Sequence, residues 1–295
     1  MTDPGSGAAV TARALSLRGP RGWVYRDVDL AAGPGTLAAV EGPAGSGRTS
    51  LLLTLAGRMR PTGGEAAVDG LELPRQAARV RRIAALGHMP GVNQPDPALT
   101  VGEHLRERRL LHAPVLSLLG RGRDRQVSDA LARAGLAVDG LPHGARTPVR
   151  DLDALQLLRL TVGLALAGRP RLLCVDDTDD RLHAGDREAV WRLLRSVAAD
   201  GVTVLAATAD AVAAGGLAGL VVRLPGGPAD DAPDAPQDRP GDDGRPGDDG
   251  RPAGGGDRGG HGGRSGDGTG STGSTGGEDR RDDDENEGEA ADARV

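Results

Sequence analysis

A glycine-rich segment between a strand-like run and a helix-like run constrains this chain most strongly. The apolar residues 37–40 lead into it, and an apolar run resumes at Leu51. Glycines at such spacing let successive backbone N–H groups point at a polyphosphate, and a following helix adds the positive end of its dipole. The pattern predicts a phosphate-binding P-loop, with arginine at the position of the usual lysine. Its residues are Gly42, Pro43, Ala44, Gly45, Ser46, Gly47, Arg48, Thr49 and Ser50.

A second apolar run supplies the acidic partner that a P-loop needs. Residues 172–175 are Leu-Leu-Cys-Val, and Asp176 and Asp177 follow directly. A carboxylate at the C-terminal end of a buried strand is where P-loop proteins hold the magnesium shell. We therefore expect Thr49 to offer its hydroxyl to Mg²⁺ and Asp176 to hold the ion through water. The order of the two motifs is more specific than either alone.

Composition divides the chain near residue 225. Residues 225–295 carry 19 acidic and 8 basic residues among Gly, Pro, Ser and Thr, whereas residues 1–224 carry 23 acidic and 28 basic residues. A segment this poor in apolar residues cannot offset its ordering entropy, so we expect 225–295 to be a disordered acidic tail. We expect a flexible N-terminus over 1–10 and one folded domain over 11–224. The basic surface has no interleaved aromatic residues, so nucleic-acid binding is not expected.

Strand and helix patterns alternate through the folded part, which predicts an α/β fold with a helical insertion. We expect strands at 11–17, 24–30, 37–41, 65–68, 80–86, 172–175, 202–207 and 220–224, and helices at 50–59 and 186–199. The helical insertion spans about 100–168 and opens on a capping box formed by Thr100 and Glu103. No run is long and apolar enough for a membrane span, and no signal peptide is expected, so the predicted location is cytoplasmic.

Across roughly residues 10–224 the chain resembles the ATP-binding cassette (ABC) family. Besides the two motifs above, residues 61–65 with 69–70 are similar to the family's Pro-x-x-Gly segment and Asp-Gly turn, and 99–105 to the opening of its helical subdomain. Arg159 and Arg169-Pro170 also fall at family positions. The resemblance implies a mixed sheet with an antiparallel β subdomain and a helical subdomain, ATP and Mg²⁺ as ligands, pairing of two such subunits as a homodimer or heterodimer, and a separate membrane permease at the inner face of the cell membrane.

The same resemblance shows where this chain departs from the family. In the family signature, a serine and two glycines hold the γ-phosphate of ATP bound to the opposite subunit. This chain keeps Leu152 and Gln156 there but has Asp153, Ala154 and Leu155 between them. The other substituted positions are Arg48 for the P-loop lysine, His88 for the Q-loop glutamine, Asp177 for the catalytic glutamate, His183 for the D-loop aspartate and Ala209 for the switch histidine.

These departures lead to two hypotheses of different classes. Phosphoryl transfer depends on positioning and electrostatics, and removing a single group of this kind can cost about a hundred-fold in rate. The first hypothesis is an ABC ATP-binding subunit with slow or absent hydrolysis, in which Asp177 is the candidate to orient water. The second is a pseudo-ATPase that acts as a regulatory or scaffolding module. Another P-loop enzyme, such as a small kinase, fits the helical insertion less well.

Overall fold

The computed structural model describes residues 7–111, 122–179, 181–214 and 216–226. The predicted tail lies outside these ranges from residue 227 onward. The strands are β1 (Val10–Gly19), β2 (Gly22–Ala32), β3 (Leu37–Glu41), β4 (Gly63–Val68), β5 (Leu71–Leu73), β6 (Ala84–Leu86), β7 (Leu172–Val175), β8 (Thr203–Thr208) and β9 (Leu220–Arg223). The helices are α1 (Arg48–Leu55), α2 (Ala77–Ile83), α3 (Val101–Leu111), α4 (Gly122–Arg133), α5 (Ala154–Leu166) and α6 (Ala184–Ala199).

The strands form one antiparallel sheet and one parallel sheet. The antiparallel sheet has the order β2-β1-β4-β5, and the parallel sheet has the order β6-β7-β8-β3-β9. Every residue of β7 and β8 is buried, as expected for parallel strands covered on both faces. Because β3 and β7 both pair with β8, their carboxyl ends lie at the same edge of the sheet, one strand apart. The predicted α/β fold with its mixed strands is confirmed.

Two hydrophobic cores lie on opposite faces of the parallel sheet. Alternate residues of β3 separate between them, with Ala38 and Val40 in one core and Leu37 and Ala39 in the other. The first core includes α1 and the inner face of the antiparallel sheet, and the second contains the fully buried Trp191 of α6. This alternation fixes the register of β3 and therefore the point where the phosphate-binding segment leaves the sheet.

A third, smaller core holds the helices of the insertion together. It contains Val101 of α3, Leu131 of α4 and Leu160 of α5. The predicted capping box opens α3: the backbone N–H of Thr100 donates to Glu103 Oε2 at 2.7 Å, and that of Glu103 donates to the Thr100 hydroxyl at 3.3 Å. These bonds to Thr100 lower the pKa of Glu103. None of the helices in the described ranges has the length and apolar character needed to cross a membrane.

The structure corrects several predicted boundaries. The strand expected at 80–86 is wrong for its first half, because α2 continues to Ile83 and only Ala84–Leu86 is a strand. Val80 is buried while Arg81 and Arg82 are exposed, which is a helical rather than an alternating pattern. The first helix ends at Leu55, since Gly57 takes the left-handed conformation with φ 71°.

Regular, packed structure is also present earlier in the chain than the sequence predicts. Ala8 is fully buried, and its N–H donates to the Arg171 carbonyl at 2.9 Å. The flexible segment predicted for 1–10 therefore does not extend to Ala8 or to Val10, where β1 begins. The short strand β5 was not expected, because its three residues are too few to show an alternating pattern.

Candidate functional site

The glycine-rich segment 42–50 joins β3 to α1 at the carboxyl edge of the parallel sheet. Gly45 and Gly47 have φ values of 81° and 86°. Gly47 is the N-cap of α1, and no side chain caps this helix end. A Cβ on Gly47 would collide with the main-chain carbonyl of Val24, so this close approach requires glycine. Among the described residues, the first-turn N–H groups of α1 therefore have no intrahelical or side-chain capping acceptor, which makes this end a site for an anion.

Two buried polar atoms of the same segment have no hydrogen-bond partner within the described residues. They are Ser46 Oγ and Arg48 Nη1. The side chain of Arg48 is only 11% exposed. A buried donor on a charged group that lacks an acceptor costs more than about 1 kcal/mol. A negatively charged oxygen at this place would satisfy Arg48 Nη1, which agrees with the phosphate site that the sequence predicts.

The other terminal nitrogen of Arg48, Nη2, contacts Asp177, the candidate to orient the attacking water. Arg48 Nη2 donates to Asp177 Oδ1 at 3.3 Å, and the Asp177 side chain is 36% exposed. Asp177 has φ 45°, a left-handed conformation that is uncommon for residues other than glycine. The substitute for the P-loop lysine and the substitute for the catalytic glutamate are therefore paired with each other. Sequence reasoning named both residues but did not foresee their contact.

The two residues expected to hold Mg²⁺ do lie together. Thr49 Oγ1 donates to Asp176 Oδ2 at 2.5 Å, and Asp176 is 1% exposed. The other carboxylate oxygen, Asp176 Oδ1, accepts from the N–H of Asp177 at 2.9 Å. The N–H of Asp176 donates to the His88 carbonyl at 2.7 Å, which fixes the strand end. A hydroxyl and a carboxylate oxygen at one point are hard ligands, so these residues fit a magnesium ion.

The degenerate signature forms a closed helix cap. Asp153 is the N-cap of α5, and its Oδ1 accepts from the N–H of Gln156 at 2.7 Å. In return, Gln156 Oε1 accepts from the N–H of Asp153 at 3.1 Å. Ala154 and Leu155 occupy the first turn of α5 and are half-buried. This capping box satisfies backbone N–H groups within the helix itself and places a carboxylate at its N-terminus. The resemblance identified Asp153 as a departure from the family signature but did not predict this hydrogen-bonded cap.

The remaining substituted positions differ in how close they lie to this site. His88 follows β6 and adjoins the site through its backbone. His183 is exposed at the N-terminus of α6, and no hydrogen bond from its side chain caps the helix. Ala209 follows β8, and its N–H donates to Asp179 Oδ2 at 2.8 Å. Sequence reasoning missed Asp179, whose position three residues after Asp176 was the only available signal.

The aromatic residues near the P-loop are both engaged in protein contacts. Tyr25 is 4% exposed, and its hydroxyl donates to Thr54 Oγ1 at 2.8 Å in the core. Burial raises the pKa of Tyr25, opposed by this hydrogen bond. Trp23 is half-buried, and the guanidinium carbons of Arg18 and Arg26 lie 5.4 and 5.2 Å from its ring centroid. The structure thus offers no aromatic residue near the P-loop that is free of such contacts, within the described residues.

Comparison with known proteins agrees with this geometry. Residues 25–179, more than half of the chain, match the family model described as ABC transporter. The cytochrome c biogenesis ATP-binding export protein CcmA of Nitrobacter winogradskyi is 34% identical over 63% of this chain and 84% of its own length. The Nod factor export ATP-binding protein I of Cupriavidus pinatubonensis is 32% identical over 63% of this chain. The match spans only 54% of the length of that relative.

The fold is likewise that of a solved cassette. A bacterial ABC transporter cassette solved as a dimer superposes with a TM-score of 0.62 at 21% sequence identity, over 74% of this chain and 95% of that structure. At this identity the likeness concerns the fold alone. The family match, the relatives and the joined P-loop and Asp176 motifs all agree. This chain belongs to the ABC transporter family of ATP-binding cassettes.

Proposed function

We propose that the chain is an ATP-binding subunit of an ABC-type transporter and that it binds Mg-ATP through residues 42–50. The observation that carries this proposal is the Thr49–Asp176 hydrogen bond beside an uncapped helix N-terminus. The uncapped N–H groups of α1 would hold the phosphates, and Arg48 Nη1 would gain the acceptor that it lacks among the described residues. Thr49 and Asp176 would hold Mg²⁺, which shields phosphate charge when bound.

Slow or absent hydrolysis follows from two contacts in the proposed site. Asp177 is the candidate to orient the attacking water, but its carboxylate is drawn to Arg48. At the N-terminus of α5, the carboxylate of Asp153 accepts from the N–H of Gln156 and adds a negative charge where the family signature has a serine. Ala209 has no imidazole to contact phosphate. The changes at Asp177 and Ala209 lower stabilisation of the phosphoryl group of the nucleotide on this chain, and the signature change acts on the nucleotide of the opposite subunit.

The proposed partners follow from the same geometry. A second cassette with a serine and glycines in its signature could complete the phosphate site of this chain, whereas the Asp153 cap could not do so for the partner. We therefore favour a heterodimer over a homodimer as the functional pair. The Nod factor and CcmA relatives are named as export proteins. We propose a separately encoded permease as the membrane partner, which would hold this chain at the inner face of the cell membrane.

Titration calorimetry of Mg-ATP into the full chain tests the proposal, with Arg48→Ala as the site variant. Arg192→Ala is the control, since Arg192 is exposed and pairs with Glu188 at 3.2 Å, outside the proposed site. We expect micromolar binding that Arg48→Ala weakens at least ten-fold and the control leaves unchanged. Loss of one charge-assisted hydrogen bond corresponds to about that factor. Absence of binding by the unmodified chain would refute the proposal.

A second candidate function is a nucleotide-binding pseudo-ATPase that regulates or scaffolds its partners. The Arg48–Asp177 pair favours it, because both charged groups at the reacting end of the site neutralise each other. The double change Asp177→Glu with Ala209→His separates the candidates. A pseudo-ATPase gains little hydrolysis from it, because the signature cap remains. A gain of a hundred-fold would show that the two side chains alone limit turnover, and would rule out the second candidate.

A further inference from the structure

The last described strand ends beside the phosphate-binding segment. Strand β9 pairs in parallel with β3, and Arg223 lies opposite Glu41, the residue before that segment. The N–H of Leu224 then donates to the Glu41 carbonyl at 2.8 Å. Two residues later, a Cβ added to Gly226 would lie 3.5 Å from Pro43 Cγ, which is an ordinary van der Waals distance. The chain that follows Gly226 therefore starts next to the P-loop.

The residues that follow carry negative charge close to this point. Residues 227–235 contain three aspartates and no basic residue, and we call them the acidic segment. Its charged residues lie four, five and eight positions after Gly226 and are Asp230, Asp231 and Asp234. Four extended residues span at most about 14 Å. The P-loop itself takes five residues from Pro43 to the first residue of α1, so the acidic segment is long enough to bring a carboxylate to that helix.

The start of α1 has donors that the described residues leave without an acceptor. Helix α1 has no side-chain cap and no acidic residue in its first turn. Ser46 is 2% exposed, and neither its Oγ nor Arg48 Nη1 has a hydrogen-bond partner among the described residues. Asp177 accepts from Nη2 of the same guanidinium. An aspartate carboxylate is a common acceptor at a helix N-terminus, where the helix dipole also favours its charge.

Charge and chain length both favour a contact between the acidic segment and this helix end. Residues 1–224 carry 28 basic and 23 acidic residues, so the folded part is positive while the acidic segment is negative. A ligand tethered by a short chain has an effective concentration in the millimolar range. A carboxylate only a few residues from the P-loop therefore binds there more readily than a free carboxylate in solution would.

We propose that the acidic segment is an internal ligand of the P-loop that competes with nucleotide phosphate. Without nucleotide, a carboxylate of the segment accepts from the first N–H groups of α1 and from Arg48 Nη1. A triphosphate has more charge and more acceptor oxygens, so ATP displaces the segment, and the contact lowers the apparent affinity without closing the site. This competition rests on the proposed function, because both ligands use the same site.

Titration calorimetry of Mg-ATP into two full-chain variants tests the competition. The site variant replaces the three aspartates of the acidic segment by asparagine: Asp230→Asn, Asp231→Asn and Asp234→Asn. The matched control makes the same change in charge 56 to 58 residues after Gly226: Asp282→Asn, Asp283→Asn and Asp284→Asn. The effective concentration of a tethered group falls with the length of the tether, so the control should have little effect.

We expect the site variant to lower the Kd of Mg-ATP about two- to five-fold at low salt, since a carboxylate at a partly exposed helix N-terminus is worth about that factor. The control should leave the Kd unchanged. The difference between the site variant and the unmodified chain should disappear at about 0.5 M salt, because exposed charges are then screened.

Nuclear magnetic resonance of the nucleotide-free chain gives a second readout that does not need ATP. The contact predicts that the site variant shifts the backbone amide signals of Ser46 and Gly47, whereas the control leaves them in place. These signals report on the start of α1 directly, so they distinguish a local contact from a general effect of net charge.

Three results would overturn the proposal. The first is an equal Kd at low salt for the site variant and the unmodified chain. The second is an equal fall in Kd for the site variant and the control, which would assign the effect to net charge. The third is unchanged amide signals in the site variant. If the unmodified chain fails to bind Mg-ATP, the proposed function fails and the amide signals alone decide this contact; if it binds and neither readout responds, only this proposal fails.

Discussion

Removing the carboxylate of Asp177 should tighten the binding of Mg-ATP. Arg48 Nη2 lies 3.3 Å from Asp177 Oδ1, and a triphosphate must compete for that guanidinium. With side-chain exposures of 11% and 36%, the pair lies between an exposed ion pair and a buried one. Such a contact contributes about 1 kcal/mol. Asp177→Asn removes the negative charge that competes with the triphosphate for Arg48, so we expect the Kd of Mg-ATP to fall about five-fold.

Calorimetry measures this change directly, with Asp200→Asn as the matched control. Asp200 carries the same charge and pairs with Arg133 at 2.9 Å, but it lies at the C-terminal end of α6 and outside the proposed site. The control should leave the Kd unchanged. High salt should weaken the difference between Asp177→Asn and the unmodified chain, because both partners retain some exposure. An unchanged or raised Kd for Asp177→Asn would refute the competition between Asp177 and phosphate for Arg48.

Three further predictions follow from the described contacts. Gly47→Ala should lower the Tm more than Gly45→Ala, because both positions need a left-handed backbone, costing about 1 kcal/mol, but only at position 47 would a Cβ collide with the Val24 carbonyl. Equal calorimetric Tm values for the two variants would contradict this. Asp153→Ala should lower the unfolding free energy by about 1 kcal/mol through loss of the cap while leaving the Kd of Mg-ATP unchanged, as denaturant titration and calorimetry would show. Burial raises the pKa of Cys174 to about 12, so the stability that the neutral thiol contributes is complete below pH 9 and is lost as the pH rises toward 12. Between pH 9 and 12 the unfolding free energy of Cys174→Ala should therefore fall less steeply than that of the unmodified chain, and equal slopes would contradict the raised pKa.

Local patterns were sufficient to predict the P-loop and its acidic partner. Thr49 and Asp176 are 127 positions apart, yet each follows a strand whose apolar run is unmistakable. Because parallel strands end at one edge, the joining of these two residues could be inferred from the order of motifs. The strand at 80–86 failed for the opposite reason: Arg81 and Arg82 interrupt a short apolar run that suits a helix turn as well as a strand.

The contacts that decide the chemistry could not be predicted from the sequence. The family resemblance identified Arg48 and Asp177 as two separate substitutions, but only the folded structure shows that their charged groups are in contact. Asp153 and Gln156 fit a capping-box pattern, yet the family resemblance predicted only the loss of a phosphate contact at this position. Arg58, which follows α1, and Arg108 of α3 line one groove, and no local pattern links them. Long-range juxtaposition of side chains depends on the whole packing, which periodicity does not contain.

Turnover of saturated protein tests whether this cassette binds Mg-ATP without hydrolysing it efficiently. Phosphate release would be measured on the full chain at an ATP concentration far above the Kd from calorimetry. An ordinary enzyme turns over about 10 times per second, and the loss of one stabilising group costs about a hundred-fold. We expect binding with turnover below about 0.1 per second. Turnover of several per second by the unmodified chain would contradict it.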